Sequence, residues 1–482
     1  MQFGAKTIIN VFGAALLIST VALGVISLQG DWVNTHLSPY QANKDLSNLS
    51  QQISAHSAIA AIDPARLERV NKAIEQYKKT LTRQVSVVEF APAVQKILAQ
   101  LNDINADIAI SHNDKQLPVH IRYMDSQYMA LSSHTELQDP AFPYLTHIDG
   151  LPINYWLNAA MRYLAIDLHQ DNQALLAELA HIPQLRREIG TRASEHVNLT
   201  LFDGHQSKTI TLPLIDGDRP PYLPFKASRI LKSELHNVIE VSDFDQFAYD
   251  KAFRQAIKQS LLTPLTILDL RRAKGSDSGL TQYLANHYGM QSYSGVQPPV
   301  AIARYRLNNK LRADYLQSRH FLPLNQFSGF EQLNLSTAIQ AVKATQTELF
   351  SQWYARKAPY SQIKINPLPS QNRPGKLALL IGPHCKGECQ WLVHMAQGWP
   401  KVVLVGQPTR GNFDLSYRFT LPKSDIRVSL SNSAVYNLHG KQISGVATYP
   451  DITLALDDGV NWTGLVKTIE GFTSGPYLID KE

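Results

Sequence analysis

Three stretches decide the fold of this 482-residue chain: LTILDLRRAKGS (265–276), LALLIGPHCKGECQWL (377–392) and VVLVGQPTRG (402–411). Each opens with a short run of aliphatic residues, too uniformly apolar for a strand with one face in water. Such runs are strands buried on both faces, the condition of a parallel sheet covered by helices. Helical patterns lie near 245–260, from about Gly279, and between the last two runs. Alternating strand and helix predicts an α/β core with a mixed or largely parallel sheet. The loops after its strands then carry the site.

Upstream the pattern changes. VHIRYM and YMAL read as strands. YLTHIDGLPI (144–153) reads as strand, tight turn at Asp149-Gly150, strand, and VNLTLFDGHQSKTITLPL (197–214) as a hairpin turning at Asp203-Gly204. A helical stretch from about Ile153 to Ile189 lies between them. The Pro-rich segment 219–224 reads as a linker. Before this β-rich part, residues 45–103 are helical in pattern. Asp63-Pro64 is a helix start, and Leu67, Val70, Ile74, Tyr77 and Leu81 form one apolar stripe. Residues 31–42 read as a polar spacer. The expected domains are 44–115 (helical), 116–218 (β-rich) and 225–475 (α/β).

The N-terminus sets a compartment. Residues 8–28 carry no charge and are long enough for the roughly 30 Å hydrocarbon core. They read as a membrane anchor, or otherwise as a signal segment within residues 1–30. In a bacterium the body would lie in the periplasm on a single inner-membrane anchor, or be secreted if the segment is cleaved. Hydrophobic residues at 44% and charged residues at 18% exclude a largely disordered chain. The net charge of +6 is spread without a Lys/Arg block, so no nucleic-acid partner is expected. The two cysteines and the lack of a carboxylate–histidine cluster give no reason to expect a metal or another cofactor.

In this order the motifs resemble the C-terminal-processing (tail-specific) serine protease family, with its tricorn-core and retinoid-binding-protein-like branches. Asp269-Leu270-Arg271 with Gly275, then Gly387-Glu388, then Gly406, Thr409 and Gly411, then Pro450-Asp451-Ile452 match its successive elements. HNVIEVSDF, with Phe244, is similar to a further strand. The resemblance implies a crotonase-like protease core, a PDZ-like segment at 116–218 that takes extended peptide by strand addition, and an N-terminal helical domain. It implies polypeptide substrates.

The catalytic positions depart from the family. The resemblance puts Cys385 in the nucleophile position and Gly275 as a possible oxyanion N–H. Asn412 stands where one branch has a Lys base. Asn105 stands where the other has a His, and Ser444 where that branch has an acidic residue. Asn cannot take a proton near neutral pH. His384 and Lys386 flank Cys385, and His112 follows Asn105. Asp269 and Arg271 read as a structural ion pair, and Asp451 as a turn residue. Cys385 and Cys389 are four apart, on one helix face if a helix starts at Cys385. A disulfide, two buried thiols and a reactive Cys385 all stay open. The sequence therefore predicts a degenerate family member that binds polypeptides or a partner protein. The alternative is an active peptidase using Cys385, and a weaker third reading is a structural envelope protein.

Overall fold

The computed structural model describes residues 36–109, 115–124, 126–132, 136–216, 229–232, 236–289, 299–307, 316, 320–342, 349–357, 375–413, 416–454 and 462–471. The 8–28 run, His112 and the 219–224 segment lie outside them. Among the described residues no helix is long and apolar enough to cross a membrane.

The aliphatic runs form the middle of one mixed sheet, ordered Arg229–Lys232, His236–Glu240, Leu265–Asp269, Lys376–Ile381, Val402–Gly406, Ile452–Thr453. Every neighbour pair is parallel except the first. Alternation along the strands gives the sheet two apolar faces. Leu268, Leu377, Leu379 and Ile381 meet Ile257, Leu280, Leu284 and Leu392 of three covering helices, Lys251–Ser260, Gly279–Tyr288 and Glu388–Ala396. Ile267, Ala378, Leu380 and Val403 meet Leu465 and Ile469 of the helix Trp462–Gly471 on the other face. Two-sided burial is why these strands carry no polar alternation.

A four-stranded antiparallel sheet stands beside this core, ordered Phe321–Pro323, Tyr354–Lys357, Pro299–Tyr305, Ser433–Tyr436. Its Tyr305, Phe321 and Tyr354 pack with Trp391 and Phe413 of the parallel core.

The N-terminal helices are Pro39–His56, Ala58–Ile62, Pro64–Lys78 and Val87–Ala99. The first begins inside the expected spacer, because Ser38 and Gln41 form a capping box that satisfies the first backbone N–H groups. These helices do not close a core alone. Leu421, Ile426, Val428 and Leu430, from far along the chain, complete it. Those residues belong to the hairpin Ser416–Thr420 and Arg427–Ser431, which Asp107–Ala109 extends by one strand. Buried Asp45 accepts from the Lys423 and Ser424 N–H groups at 2.9 and 2.8 Å.

The β-rich unit is an antiparallel sheet ordered His120–Met124, Gln127–Leu131, Tyr144–Ile148, His196–Phe202, Ser207–Pro213, with Leu151–Pro152 on the third strand. Fully buried Trp156 fixes the covering helix by donating Nε1–H to the Ile148 carbonyl at 3.0 Å. The expected helical stretch 153–189 is broken into Ile153–Ala160, Asn172–Glu178 and Ile182–Ile189. Asp171 caps the second of these, and a proline opens the third. Arg186 is 2% exposed. It donates to Asp149 through Nε (2.9 Å) and Nη2 (2.7 Å), and to the Ser194 and His196 carbonyls at 2.6 Å. Removing it strands a partly buried carboxylate and two carbonyls. Arg186→Met is expected to cost about 3–5 kcal/mol. Hydrogen exchange would then rise through residues 144–213 while the parallel sheet keeps its protection, and unchanged exchange in both would refute that role for Arg186.

Candidate active site

Because Leu265–Asp269, Lys376–Ile381 and Val402–Gly406 run parallel, the loops that follow them leave the same edge of the sheet. In the first loop Arg271 turns back on Asp269, with Nε to Oδ1 at 2.9 Å and Nη2 to Oδ2 at 2.6 Å. This is the structural ion pair the sequence predicted. Asp245 accepts from the Ser276 and Asp277 N–H groups, each at 2.7 Å. Gly275 has φ +106°, and a Cβ there would lie 2.7 Å from Asp243 Oδ1, so only glycine fits.

The second loop makes a sharp strand-to-helix corner at Gly387, with φ 62° and ψ −119°, directly before the helix Glu388–Ala396. A corner of this kind is what lifts a nucleophile out of an α/β sheet. Here it carries no side chain. The atom nearest the place a Cβ would occupy is the Gly275 carbonyl oxygen, at 3.3 Å. Behind the corner Glu388 forms a two-pronged ion pair with Arg356 Nη2, at 2.9 and 3.1 Å, with both side chains at most 2% exposed.

The remaining predicted positions converge on this corner, with one exception. Gly387 N–H donates to the Asn412 carbonyl at 3.1 Å. Asn412 Nδ2 donates to Asn105 Oδ1 at 2.6 Å, and Asn105 Nδ2 to Ser431 Oγ at 3.0 Å. Ser431 Oγ–H and N–H donate to Asp103, at 2.7 and 2.8 Å. Burial pushes the Asp103 carboxyl up, opposed by the hydrogen bonds from Ser431 and Asn105. Ser444 is the exception. Buried in a turn, it accepts from Val435 N–H at 3.2 Å.

Cys385 does not start the helix. It lies in the turn three residues before it, and its sulfur is bonded to Cys389, with both residues fully buried. The disulfide spans Gly387 and staples the corner. A half-cystine is not a nucleophile, so this structure holds no thiolate at Cys385. Asp171 and Arg410 act electrostatically on His384, Arg410 and Asp107 on Lys386, and Asp107 on Glu178. Water reaches the His384 ring, yet protein crowds it. That crowding, with Arg410 and Lys386, pushes the imidazole down to about 4. Burial and then the Asp107 carboxylate push Glu178 up to about 8. Arg410 pairs with Asp171 at 2.9 Å and Gln173 with Gln407 at 2.6 Å, joining the β-rich unit to the third loop.

Residues 237–454 match the model of peptidase family S41. They form a peptidase family S41 domain. The fold is similar to that of mature CPAF (12% identity, TM-score 0.59, covering 90% of this chain and 96% of that one). It is also similar to mature CPAF complexed with lactacystin (13%, 0.56, 90% and 97%). At these identities the likeness shows the fold alone. No curated protein matches the sequence significantly. Within the S41 domain, sequence reasoning set Gly387 among the scaffold residues and missed that it is the corner. The available signal was a glycine placed directly before the helix.

Two outcomes follow from this geometry. Closing so short a loop contributes roughly 2 kcal/mol in the chain-entropy account. Reduction with dithiothreitol should therefore lower the unfolding free energy by about that amount in urea titration, and no shift would show that the staple does not stabilise. Glu178 holds its proton in the fold up to about 8, against an ordinary 4.5 in the unfolded chain. The stability this contributes is complete below pH 4.5 and is lost as pH rises through 8. Glu178→Gln should lessen the loss of stability measured between pH 5 and 8 relative to the wild type, and an unchanged profile would place it elsewhere.

Proposed function

We propose that this protein is a membrane-anchored member of peptidase family S41 that holds polypeptide in the family's cleft without hydrolysing it at the family's site. The corner at Gly387 carries the reading. Acyl transfer needs a nucleophile, a base and donors facing the developing oxyanion. At this corner there is no side chain, and an acceptor oxygen from Gly275 faces the vacant direction. The two candidate base positions, Asn105 and Asn412, are amides hydrogen-bonded to each other.

The holding surface in this reading includes the PDZ-like β-rich unit, whose outer strand Ser207–Pro213 pairs on one side only among the described residues. An open strand edge can accept an extended peptide. Two features support an envelope location with the body in the periplasm. One is the uncharged run 8–28. The other is the disulfide, which persists where the surroundings oxidise. The alternative, hydrolysis by a Cys385 thiolate, would require reduction of that bond and exposure of a buried sulfur.

The test uses the full chain in detergent with fluorescein-labelled unfolded casein, with and without dithiothreitol. Fluorescence polarisation should rise with protein concentration while gels show intact casein in both conditions. Fragments that appear on reduction and vanish in Cys385→Ala would establish the thiol peptidase instead. Fragments in any other pattern would also end the holding reading.

A further inference from the structure

Several serines in this chain stand at helix N-caps. Ser38, Ser57, Ser86 and Ser328 each accept a backbone N–H of their own helix. Ser278 stands at the N-cap of Gly279–Tyr288 and does not. Its hydroxyl is hydrogen-bonded to Nε2 of His320. Leaving a serine cap unmade gives up about 1 kcal/mol of helix stability. The partner is in an uncommon conformation too: His320 has φ +61°, in the left-handed region. Asp277 Oδ1 answers the Gly279 N–H at 2.8 Å in place of the serine, so the local cost that remains is the His320 backbone, and such costs cluster at functional sites.

The pair adjoins the bare corner. Ser278 ends the loop whose Gly275 carbonyl faces Gly387. His320 precedes Phe321, which packs edge-on against Trp391 of the helix that starts at Glu388. Burial, and then the Arg356 cation, lower the His320 pKa, opposed by Glu388 and Asp277. The ring is therefore neutral at neutral pH, as a general base must be. Ser278 and His320 are both partly exposed, so the hydroxyl is open to a small reagent.

We propose that Ser278 and His320 form a nucleophile–base pair, separate from the family's corner, that takes activated acyl compounds such as aryl esters. With the ring proton on Nδ1, the Ser278 hydroxyl donates to Nε2 and passes its proton there as Oγ attacks the acyl carbon. The Oγ–C bond forms, the bond to the leaving aryl oxide breaks, and the imidazolium returns its proton to the departing oxygen. Water, activated by the same nitrogen, then releases the acid and restores the serine. Among the described residues no carboxylate hydrogen-bonds Nδ1, and Arg356 opposes the imidazolium. Both features restrict the pair to good leaving groups, and peptide bonds fall outside its range.

A fluorophosphonate probe tests this apart from casein binding and cleavage, because its adduct marks one residue. Oγ displaces fluoride at phosphorus, and Nε2 takes the hydroxyl proton. Full-length protein with its disulfide intact is labelled, digested and mapped by mass spectrometry. The adduct is expected on Ser278. Its rate should rise with pH with a midpoint below that of an ordinary histidine, and His320→Gln should slow it at least ~100-fold. Ser276→Ala should label as wild type does, and Ser278→Ala, folded by circular dichroism, not at all. No adduct on folded wild type, or an adduct mapped to another residue, overturns the proposal. Mapping on the wild-type chain decides this even if a variant fails to fold.

Discussion

The Arg356–Glu388 ion pair joins the two halves of the catalytic-type domain. Arg356 comes from the antiparallel sheet and Glu388 from the first turn of the helix after Gly387, and neither side chain reaches water. Stranding either partner of such a pair costs roughly 3–5 kcal/mol, so the sheets are held at a fixed spacing. The guanidinium also lies 4.1 Å from the Trp391 ring centroid, which seats it among aromatic rings where a lysine ammonium would lose the planar stacking. Through this pair the corner, the aromatic cluster and His320 share one electrostatic neighbourhood.

That fixed spacing holds the S41-type fold around the corner in one geometry. The corner is set by backbone forces: the parallel strand before it, the helix after it, the Cys385–Cys389 staple across it and the hydrogen bond to the Asn412 carbonyl. None of these needs a nucleophile. The amide chain from Asn412 through Asn105 to Ser431 and Asp103 likewise satisfies its members without a titrating base at the corner. A buried amide chain that is satisfied by its own members adds rigidity without any titrating group. The Ser278–His320 contact lies a few residues away, at the end of the loop that holds Gly275.

The aliphatic runs at 265–270, 377–381 and 402–406 were legible as buried parallel strands, because two-sided burial leaves a mark on every residue of the strand. The hairpin at Asp203-Gly204 and the cap at Asp63 were legible for the same local reason. The order of the motifs was enough to name the family. Less legible was the start of the first helix, which a capping box moved forward, and the helical stretch 153–189, which Asp171 and Pro183 divide.

What the sequence determined by itself was whatever depends on neighbours along the chain: strand and helix periods, caps, turns, and the residue types near the site. It left the cysteine pair open among three states, because four residues of spacing suit a disulfide and a pair of thiols equally. Only the tertiary structure decided that the sulfurs are bonded, that the corner belongs to Gly387, and that Leu421 to Leu430 complete the N-terminal core. It alone brought Ser278 to His320, residues 42 positions apart with no shared motif. Contacts of that kind are set by how sheets and helices stack, and stacking energy is summed over surfaces that no local stretch of sequence contains.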